Sequence, residues 1–487
     1  MQNRRTGSGR AGPSQREESS ALVSPSYFLL FRPTSEACHS TGDRIVLTAI
    51  TLQDFKSYKT AKVPLAPLTV LIGANASGKS NAIEAMRLLA WLAQGQKLSA
   101  IQYAVNKEDR VVRGRVSDLP YRDGVTFGLG CESDLPEWNV LSMRITRRED
   151  GLHITGESLT HQGAPVPLYD LDQPSSGRGT DVGVAYNNFA RGGKKPHIKC
   201  SDQLAIFTQL NTPAPFDAAH LASKRVIPTQ VADYERWLST MLFLDPVPAA
   251  MREYNFPSER RLRGDGSNLS GVLFNLWGTD ESAVTEPFAG HRRDILSFIQ
   301  SLPEQDIAGL TFLVEPRGGV MVSLSETFGG QPAPCDASLL SDGTLRVLAI
   351  AAAMLSADEG SLVVIEEIDN GVHPSRARRL LENILAIAER RHLRVLLSTH
   401  NPALLDALPD SALPAVVFCY RDTSDGSSCL TRLSDVPDYP ELIAQGSLGE
   451  LVTTGLLERF VKQQRTTAER QARATAWLEH MRRGSAE

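Results

Sequence analysis

The sequence predicts an α/β protein built on a parallel sheet, and three observations support this prediction. A largely apolar segment, Leu68–Ile72, precedes a glycine-rich loop and then a run with helical periodicity. Two further short apolar segments, 362–365 and 393–398, have the composition of strands that are buried on both faces. Helical patterns at 375–389 and 402–408 follow these two strands. Such strand–helix alternation implies right-handed crossovers and therefore parallel strands.

The glycine-rich loop after the first of these strands is the most specific motif in the chain. Gly73, Gly78, Lys79 and Ser80 fit the pattern G-x-x-x-x-G-K-[ST] without a substitution. The glycines let backbone N–H groups turn toward a phosphate, the lysine brings a charge to the outer phosphates, and the serine hydroxyl can ligate Mg²⁺. The loop therefore predicts a nucleotide phosphate site. The residues expected to bind there are Gly73, Asn75, Ala76, Ser77, Gly78, Lys79, Ser80 and Asn81.

The composition is that of a soluble, globular chain of 487 residues with 41% hydrophobic residues and a net charge of -5. No apolar run approaches the roughly 18 residues of a membrane span, so no membrane contact is expected. The negative charge gives no overall attraction to nucleic acid, although a local basic surface is compatible with it. The six cysteines lack C-x-x-C spacing, which argues against zinc and disulfides and favours a cytoplasmic location.

The N-terminal part divides into a tail and the start of the folded region. Residues 1–43 are rich in Arg, Ser, Gly and Pro without periodicity, and we expect them to be a disordered tail. The next segment, 44–100, is the first part of the nucleotide-binding domain. Its expected elements are strands at 45–52 and 58–63, the phosphate-loop strand, and a helix at 79–93.

The stretch 101–308 is predicted to be an insert of mixed helices and strands without a heptad repeat. Its strands and helices alternate with loops that are rich in Gly, Ser and charge. The expected strands are 125–130, 140–146 and 153–159, the loops are 172–182 and 191–195, and the helices are 218–244, Leu269–Trp277 and 291–302.

The second part of the nucleotide-binding domain is expected at 309–435. It begins with a hairpin whose strands, 310–314 and 320–324, are joined by an Arg-Gly-Gly turn. The strand–helix alternation follows. The remaining expected elements are an apolar helix at 343–357, a strand at 415–420 and, in a C-terminal helical segment at 436–487, a polar helix at 468–483.

Two carboxylates follow the apolar strand at 362–365. Because the carboxyl ends of parallel strands meet at one edge of a sheet, Glu366 and Glu367 should lie beside the phosphate loop. One carboxylate can hold Mg²⁺ and its waters, and the other can polarise an attacking water. We assign Glu366 to the metal, together with Ser80, and Glu367 to the water. Taken alone, an ordinary acidic strand end would explain this pair equally well.

His400 follows the next apolar strand, where an imidazole can hydrogen-bond the terminal phosphate and the attacking water. A single histidine at such a place is more often a core or loop residue. Its position after the phosphate loop and the acidic pair favours the functional interpretation.

Ser341, Asp342 and Gly343 stand at the start of the apolar helix. A helix N-terminus with a hydroxyl and free backbone N–H groups is an anion site. Since Lys79 already serves the phosphates of its own subunit, we expect this second site to meet the nucleotide of another subunit. The alternative is a simple N-cap by Ser341 or Asp342, and one residue could serve both purposes.

These motifs, in this order, resemble those of the ABC-type ATPases. The resemblance is nearer to the RecF/SMC-like branch and to the predicted AAA-family ATPases of prokaryotic genome-maintenance and phage-defence loci, which are relatives of the OLD-nuclease ATPase domain. The sequence E-E-I-D-N-G-V-H-P at 366–374 is similar to the E-E-P-E-N-G-L-H-P of that group, and L-S-D-G-T-L-R at 340–346 is similar to its S-D-G-T-L-R signature. The resemblance covers 45–93 and 310–420, and it implies an ABC/SMC-type P-loop NTPase head with mixed β-sheets and an α+β insert.

The resemblance also implies ATP and Mg²⁺ as ligands and gives roles to individual residues. These roles are catalytic base for Glu367, switch for His400, the turn between subunits for Asp369, and signature motif for Ser341, Asp342 and Gly343. Glu366 stands where transporter-type sites have Asp, and Asp342 stands where the signature has Gly. Both departures suggest slow, regulated hydrolysis. The glutamine-loop residue is not identified, and Gln102 is a guess.

The expected function is therefore that of an ATPase that forms a homodimer on ATP binding and serves a prokaryotic DNA-maintenance or phage-defence complex. DNA, contacted through the basic stretches 191–199 and 260–263, and a separately encoded nuclease or effector are the candidate partners. Three alternatives stay open: the energy subunit of a membrane transporter, an ATPase fused to its own nuclease, and an ATP-gated scaffold that does not hydrolyse. The long insert argues against a transporter subunit. The lack of acids on buried strands after His400 argues against a fused nuclease, and the presence of Glu367 and His400 argues against a scaffold that does not hydrolyse.

Overall fold

Strands dominate the N-terminal half of the chain and alternate with helices in the C-terminal half. The computed structural model describes residues 45–102, 111–161, 166–177, 179–278, 285–300, 307–328, 331–369, 374–436 and 439–462, all within the unit Arg44–Glu487. The predicted tail at 1–43 and the predicted helix at 468–483 lie outside these residues. In chain order the strands are β1 (Leu47–Phe55), β2 (Tyr58–Pro64), β3 (Leu68–Ile72), β4 (Thr126–Ser133), β5 (Val140–Arg148), β6 (Gly151–Thr160), β7 (Tyr169–Gln173), β8 (Asp181–Tyr186), β9 (His197–Ser201), β10 (Leu242–Leu244), β11 (Ile307–Val314), β12 (Val320–Phe328), β13 (Gln331–Asp336), β14 (Leu362–Ile365), β15 (Arg394–Ser398), β16 (Val416–Arg421) and β17 (Ser428–Arg432).

The helices pack against these strands. In the described part of the chain, none of them is both long enough and apolar enough to cross a membrane. In chain order they are α1 (Lys79–Ala93), α2 (Ile206–Gln209), α3 (Leu221–Ser239), α4 (Leu269–Trp277), α5 (Phe288–Ile299), α6 (Asp342–Ser356), α7 (Pro374–Arg390), α8 (Pro402–Asp406), α9 (Tyr439–Ile443), α10 (Leu448–Thr453) and α11 (Leu456–Lys462).

A six-stranded sheet contains the phosphate-loop strand. Its order is β10-β14-β15-β3-β16-β17, and every neighbouring pair is parallel except β16 and β17. Successive residues of β14 enter two different cores: Leu362 and Val364 pack on the side of α1, whereas Val363 and Ile365 pack on the side of α6 and α7. This alternation is the expected result of a strand covered on both faces. The predicted parallel sheet and α/β fold class are confirmed.

A second, eight-stranded antiparallel sheet has the order β2-β1-β4-β5-β6-β7-β8-β9. It begins with β1 and β2 and continues through strands of the 101–308 stretch, since β1 pairs with β4 in the register Ile50↔Cys131. The two sheets meet where β2 approaches β17, and there the Ser428 N–H donates to the Ser57 carbonyl across 2.7 Å. A three-stranded sheet, β11-β12-β13, contains the predicted hairpin.

The secondary-structure prediction is wrong in two regions and also lacks the strands β13 and β17. The predicted loop at 172–182 contains the end of β7 and the start of β8, and β9 follows where no strand was predicted. The predicted helix at 218–244 ends at Ser239, after which Leu242–Leu244 forms the edge strand β10. Three apolar residues continue a helical pattern equally well, and only their pairing with β14 makes them a strand.

Candidate nucleotide-binding site

A cleft of about 360 Å³ lies at the carboxyl ends of β3, β14, β15 and β16. Parallel strands bring their carboxyl ends to one edge of the sheet, so segments that are more than 300 residues apart in sequence meet here. The residues that line the cleft are Asn75, Ala76, Ser77, Gly78, Lys79, Ser80, Asn81, Ile83, Arg113, Glu366, Glu367, Ser398, Thr399, His400 and Arg421. The structure thus brings the predicted phosphate loop, acidic pair and histidine together.

The glycines at the two ends of the loop are required by their surroundings. Gly73 has a φ of 147° and Gly78 has a φ of 125°, and residues with a side chain rarely adopt this backbone conformation. A Cβ atom on Gly73 would lie 2.2 Å from the Cys419 carbonyl oxygen. On Gly78 it would lie 2.4 Å from the Ser428 hydroxyl and 2.9 Å from the Tyr58 hydroxyl. Each glycine therefore lets the loop pass close to the elements behind it.

Hydrogen bonds from behind hold the loop in this conformation. The Tyr58 hydroxyl donates to the Gly78 carbonyl across 3.0 Å, and the Ser428 hydroxyl donates to the Ser77 carbonyl across 2.6 Å. Arg421 Nε donates to the Ala76 carbonyl across 3.0 Å. Burial raises the pKa of Tyr58 well above its ordinary value, which keeps this hydroxyl protonated and able to donate. The loop is preorganised by contacts from β2, β16 and β17.

Lys79 lies across the loop and occupies its carbonyl groups. Its Nζ donates to the carbonyls of Gly73, across 2.6 Å, and Ala74, across 3.1 Å. Burial lowers the pKa of Lys79, whereas the charges of Glu367 and Asp369 oppose this effect. The first turn of α1 follows directly and has no side-chain cap, so its N–H groups can serve an anion. Both features suit phosphate binding.

The acidic pair follows β14 as predicted, but the two carboxylates have different environments. Glu366 Oε1 accepts a hydrogen bond from Arg87 Nη2 across 2.6 Å. Glu367 is exposed in the cleft and has a φ of 47°, in the left-handed region, while its N–H donates to the Ser398 hydroxyl across 3.1 Å. Left-handed backbone at a non-glycine residue is a strain that is common at functional sites. The strained turn directs Glu367 toward the loop.

His400 stands at the rim of the cleft with 54% of its side chain exposed. Its Nδ1 lies 3.7 Å from Asp369 Oδ2, and the Thr399 hydroxyl donates to Asp369 Oδ1 across 2.8 Å. The Asp369 side chain is only 6% exposed, so its carboxylate supports the histidine segment of its own chain. Residues 370–373 of the same motif lie outside the described part of the chain.

The donor set of the cleft fits Mg²⁺. Ser80 and Glu366 both line the cleft and offer hard oxygen atoms, and Mg²⁺ in nucleotide sites is typically held by one or two protein oxygens with phosphates and waters. Within the described residues, no group of three or more His, Cys, Asp or Glu side chains is placed to hold a metal by itself.

The signature residues lie elsewhere. Ser341 caps α6, since its hydroxyl accepts from the Thr344 N–H across 3.1 Å, and Asp342 Oδ1 accepts from Arg252 across 2.7 Å. The N-cap alternative is thus what the structure shows, and the turn is exposed to solvent. Helix α6 packs against β10, the edge strand that stands three positions from β3 in the sheet. Among the described residues that line the cleft, none comes from this turn.

Several polar residues that line the cleft or the cavity beside it were not predicted from the sequence. Arg113 lines the cleft and pairs with the buried Glu84 of α1, and Arg421 lines the cleft at the end of β16. Asp245 follows β10 and lines the neighbouring cavity together with Ser80 and Glu366. An acid after an apolar strand was a usable signal for Asp245, but the helical interpretation of 218–244 concealed it. Gln102 is exposed and is not among the described residues that line the cleft.

Two family models match the chain. One, described as "AAA domain, putative AbiEii toxin, Type IV TA system", matches residues 194–406, and the other, described as "AAA ATPase domain", matches residues 46–121. The second match contains the phosphate loop, and the first contains the signature, the acidic pair and His400. No curated protein matches the chain.

Solved structures with a similar arrangement include heads of Smc proteins. An Smc head bound to the C-winged helix domain of ScpA has 12% identity and a TM-score of 0.43, over 79% of this chain and 97% of that one. The SMC head of Thermotoga maritima has 12% identity and a TM-score of 0.36, over 80% and 98%. An Smc head from Pyrococcus furiosus, bound to the C-terminal domain of ScpA, has 13% identity and a TM-score of 0.41, over 82% and 100%.

The fold and the site define a P-loop NTPase. The two AAA family models that match separate parts of the chain show its similarity to AAA-type ATPases, and a nucleotide is the ligand for which its phosphate loop is built.

Proposed function

We propose that this chain binds Mg-ATP, closes into a symmetric dimer around two nucleotides, and hydrolyses them slowly. The observation that carries the proposal is the separation, within one chain, of the phosphate-loop cleft and the signature turn. The phosphate loop, the acidic pair and His400 share one cleft, whereas the exposed N-terminal turn of α6 is not among the described residues that line it. A second copy of the chain could bring its own turn to this cleft, and a two-fold axis would repeat the contact.

Each residue of the cleft has a distinct chemical role in this proposal. Lys79 and the N–H groups of the loop bind phosphates, and Ser80 with Glu366 would hold the Mg²⁺ that neutralises phosphate charge. Glu367 accepts a proton from the attacking water as general base. His400, supported by Asp369, hydrogen-bonds the terminal phosphate.

The biological setting that we propose is a prokaryotic DNA-maintenance or phage-defence complex in the cytoplasm, with a separate effector as partner. The description of the larger family match, which names a toxin of a toxin–antitoxin system, supports a defence role over that of a transporter subunit. The basic stretch at 260–263 supports DNA contact only weakly, because Arg261 pairs with Asp358 and Arg263 pairs with Glu259.

The test is the substitution Glu367→Gln in the full chain. Loss of a positioned base should lower ATP turnover by roughly 10²–10⁴-fold and leave ATP affinity, measured by calorimetry, nearly unchanged. Light scattering should then find a stable dimer in saturating Mg-ATP. The matched control is Glu382→Gln, which removes an exposed carboxylate paired with Arg378 and should turn over ATP normally.

Two results would contradict the proposal. Turnover at the wild-type rate in Glu367→Gln would remove this residue from the chemistry. A Glu367→Gln protein that stays monomeric in saturating Mg-ATP would remove the dimer. A wild-type protein that binds ATP and dimerises without any turnover would instead favour the ATP-gated scaffold.

A further inference from the structure

The helix that begins at the phosphate loop carries another cation within reach of the acidic pair. Arg87 lies seven residues after Ser80 in α1, so both side chains leave the same face of the helix. Its Nη2 donates to Glu366 Oε1 across 2.6 Å. Glu366 is the carboxylate that the proposed function gives to the metal.

This ion pair is shielded and held in place. The side chains of Arg87 and Glu366 are 27% and 25% exposed. The guanidinium carbon of Arg87 lies 5.1 Å from the ring centroid of Phe243, which belongs to the edge strand β10. A cation over an aromatic face is attracted to it, and partial burial weakens the screening of the pair by water. Arg87 therefore has a defined place beside Glu366.

Glu84, the acidic residue of α1, does not compete with Glu366 for Arg87. Glu84 is buried, and its two carboxylate oxygens accept from Lys56 and Arg113. Glu366 is the carboxylate with which Arg87 pairs.

Arg87 and Mg²⁺ would need the same carboxylate. A hydrated Mg²⁺ at Ser80 requires the oxygen atoms of Glu366, and a guanidinium bound to that carboxylate both occupies Oε1 and repels a second cation. We propose that Arg87 competes with Mg²⁺ for Glu366 and thereby sets the Mg²⁺ concentration at which the nucleotide site is completed. This inference rests on the proposed function, because it takes Glu366 as a metal-binding residue.

The surroundings provide a place for the displaced guanidinium. A cavity of about 980 Å³ adjoins the nucleotide cleft and is lined by Arg87, Phe243 and Glu366 together with Asp245 and Asp265. An arginine that leaves Glu366 on Mg²⁺ binding stays near two other carboxylates. The guanidinium of Arg87 therefore keeps carboxylates nearby after Mg²⁺ takes its place at Glu366.

The experiment measures the Mg²⁺ dependence of ATP binding by calorimetry in the Glu367→Gln protein, in which turnover does not interfere. Arg87→Ala should lower the half-saturating Mg²⁺ concentration by about threefold to tenfold, because one competing cation is lost. Phe243→Leu, which removes the ring under the guanidinium, should change it in the same direction by a smaller factor. The matched control is Arg378→Ala, which breaks an exposed ion pair in α7 and should leave the Mg²⁺ dependence unchanged.

A double-mutant cycle separates competition from a general structural effect. In a Glu366→Gln background, Arg87→Ala should no longer shift the Mg²⁺ midpoint, because the contested carboxylate is absent. An unchanged or raised midpoint in Arg87→Ala, with the circular dichroism spectrum of the folded parent, would overturn the inference, and so would an equal shift in both backgrounds. A Glu367→Gln parent that binds no Mg-ATP at all would refute the proposed function itself, and this inference with it.

Discussion

The phosphate loop and the signature turn both lie at helix N-termini, and the proposed function places a phosphate at each, but they are built in opposite ways. The loop is fixed from behind by Tyr58, Arg421 and Ser428, and its cleft already contains the acidic pair and His400. The turn at Ser341 is exposed and held mainly by its own cap and by Arg252. In the proposed dimer, the preorganised cleft of one subunit would be completed by the exposed turn of the other subunit.

The largest expected effect comes from separating the two halves. Ser341→Arg places a bulky cation at the turn, so ATP binding by the monomer should persist while dimerisation and turnover are lost. Lys79→Ala should lose ATP binding, because a cradle of N–H groups without its cation loses charge-assisted contacts. Each variant is expected to be inactive alone.

Mixing the two variants sharpens this test. A heterodimer would contain one intact site, formed by Lys79 of one chain and Ser341 of the other, and both lesions would lie at the second site. Partial recovery of ATPase activity on mixing supports completion in trans. Ser341→Arg that dimerises normally in Mg-ATP by light scattering would contradict it, whatever the activity of the mixture.

An intermediate effect is expected from disturbing the rigid half alone. Gly78→Ala forces a Cβ against the hydroxyls of Ser428 and Tyr58 at a φ of 125°, which should weaken ATP binding by about 1–3 kcal/mol in calorimetry. The matched control is Gly309→Ala in β11, where a Cβ would meet nothing within 4 Å. Equal ATP affinities in the two variants would show that the loop does not depend on its backing.

The smallest effect should come from the exposed half. Arg252 donates to both Asp342 and the Leu340 carbonyl, so Arg252→Ala leaves the Asp342 carboxylate uncompensated at a site for phosphate. Because this pair is largely open to solvent, we expect a loss of about 0.5–1 kcal/mol, seen as a twofold to fivefold rise in the ATP concentration that supports dimerisation. Adding Asp342→Asn to the Arg252→Ala protein should restore the ATP concentration that supports dimerisation to that of the wild-type protein. A double variant no better than Arg252→Ala alone would show that charge is not the cause.

The sequence predicts best what is decided locally. The phosphate loop, α1 and β14 are marked by residues within a few positions of one another, so their bounds and their role in the site could be anticipated. The edge strand β10 could not, since three apolar residues become a strand only by pairing with β14, which follows some 120 residues later. The strands β7 to β9 were missed although their buried and exposed residues alternate, because the Gly, Ser and charged residues around these short strands favoured a loop.

The same distinction holds within the site. Glu367 and His400 follow apolar strands, and that order along the chain predicts their meeting at the sheet edge. Arg87 and Arg113 carry no such mark, because surface arginines are common in any chain and only the folded packing brings these two to the acids. Arg421 directly follows a predicted strand, so the same rule could have found it. Residues that directly follow a strand can be predicted to lie at the sheet edge. Residues that reach the same edge from a neighbouring helix or loop are found only in the structure.

Because β2 and β17 are in contact, the phosphate loop is supported by residues from both of the larger sheets. Ser57 and Tyr58 approach it from the antiparallel sheet, and Ser428 approaches it from the parallel one. A protein that bound the antiparallel sheet could therefore alter the affinity of the chain for nucleotide without contacting the cleft. By thermodynamic reciprocity, ATP would alter the affinity for that protein by the same factor, so the nucleotide state of the chain could be read from a distant surface.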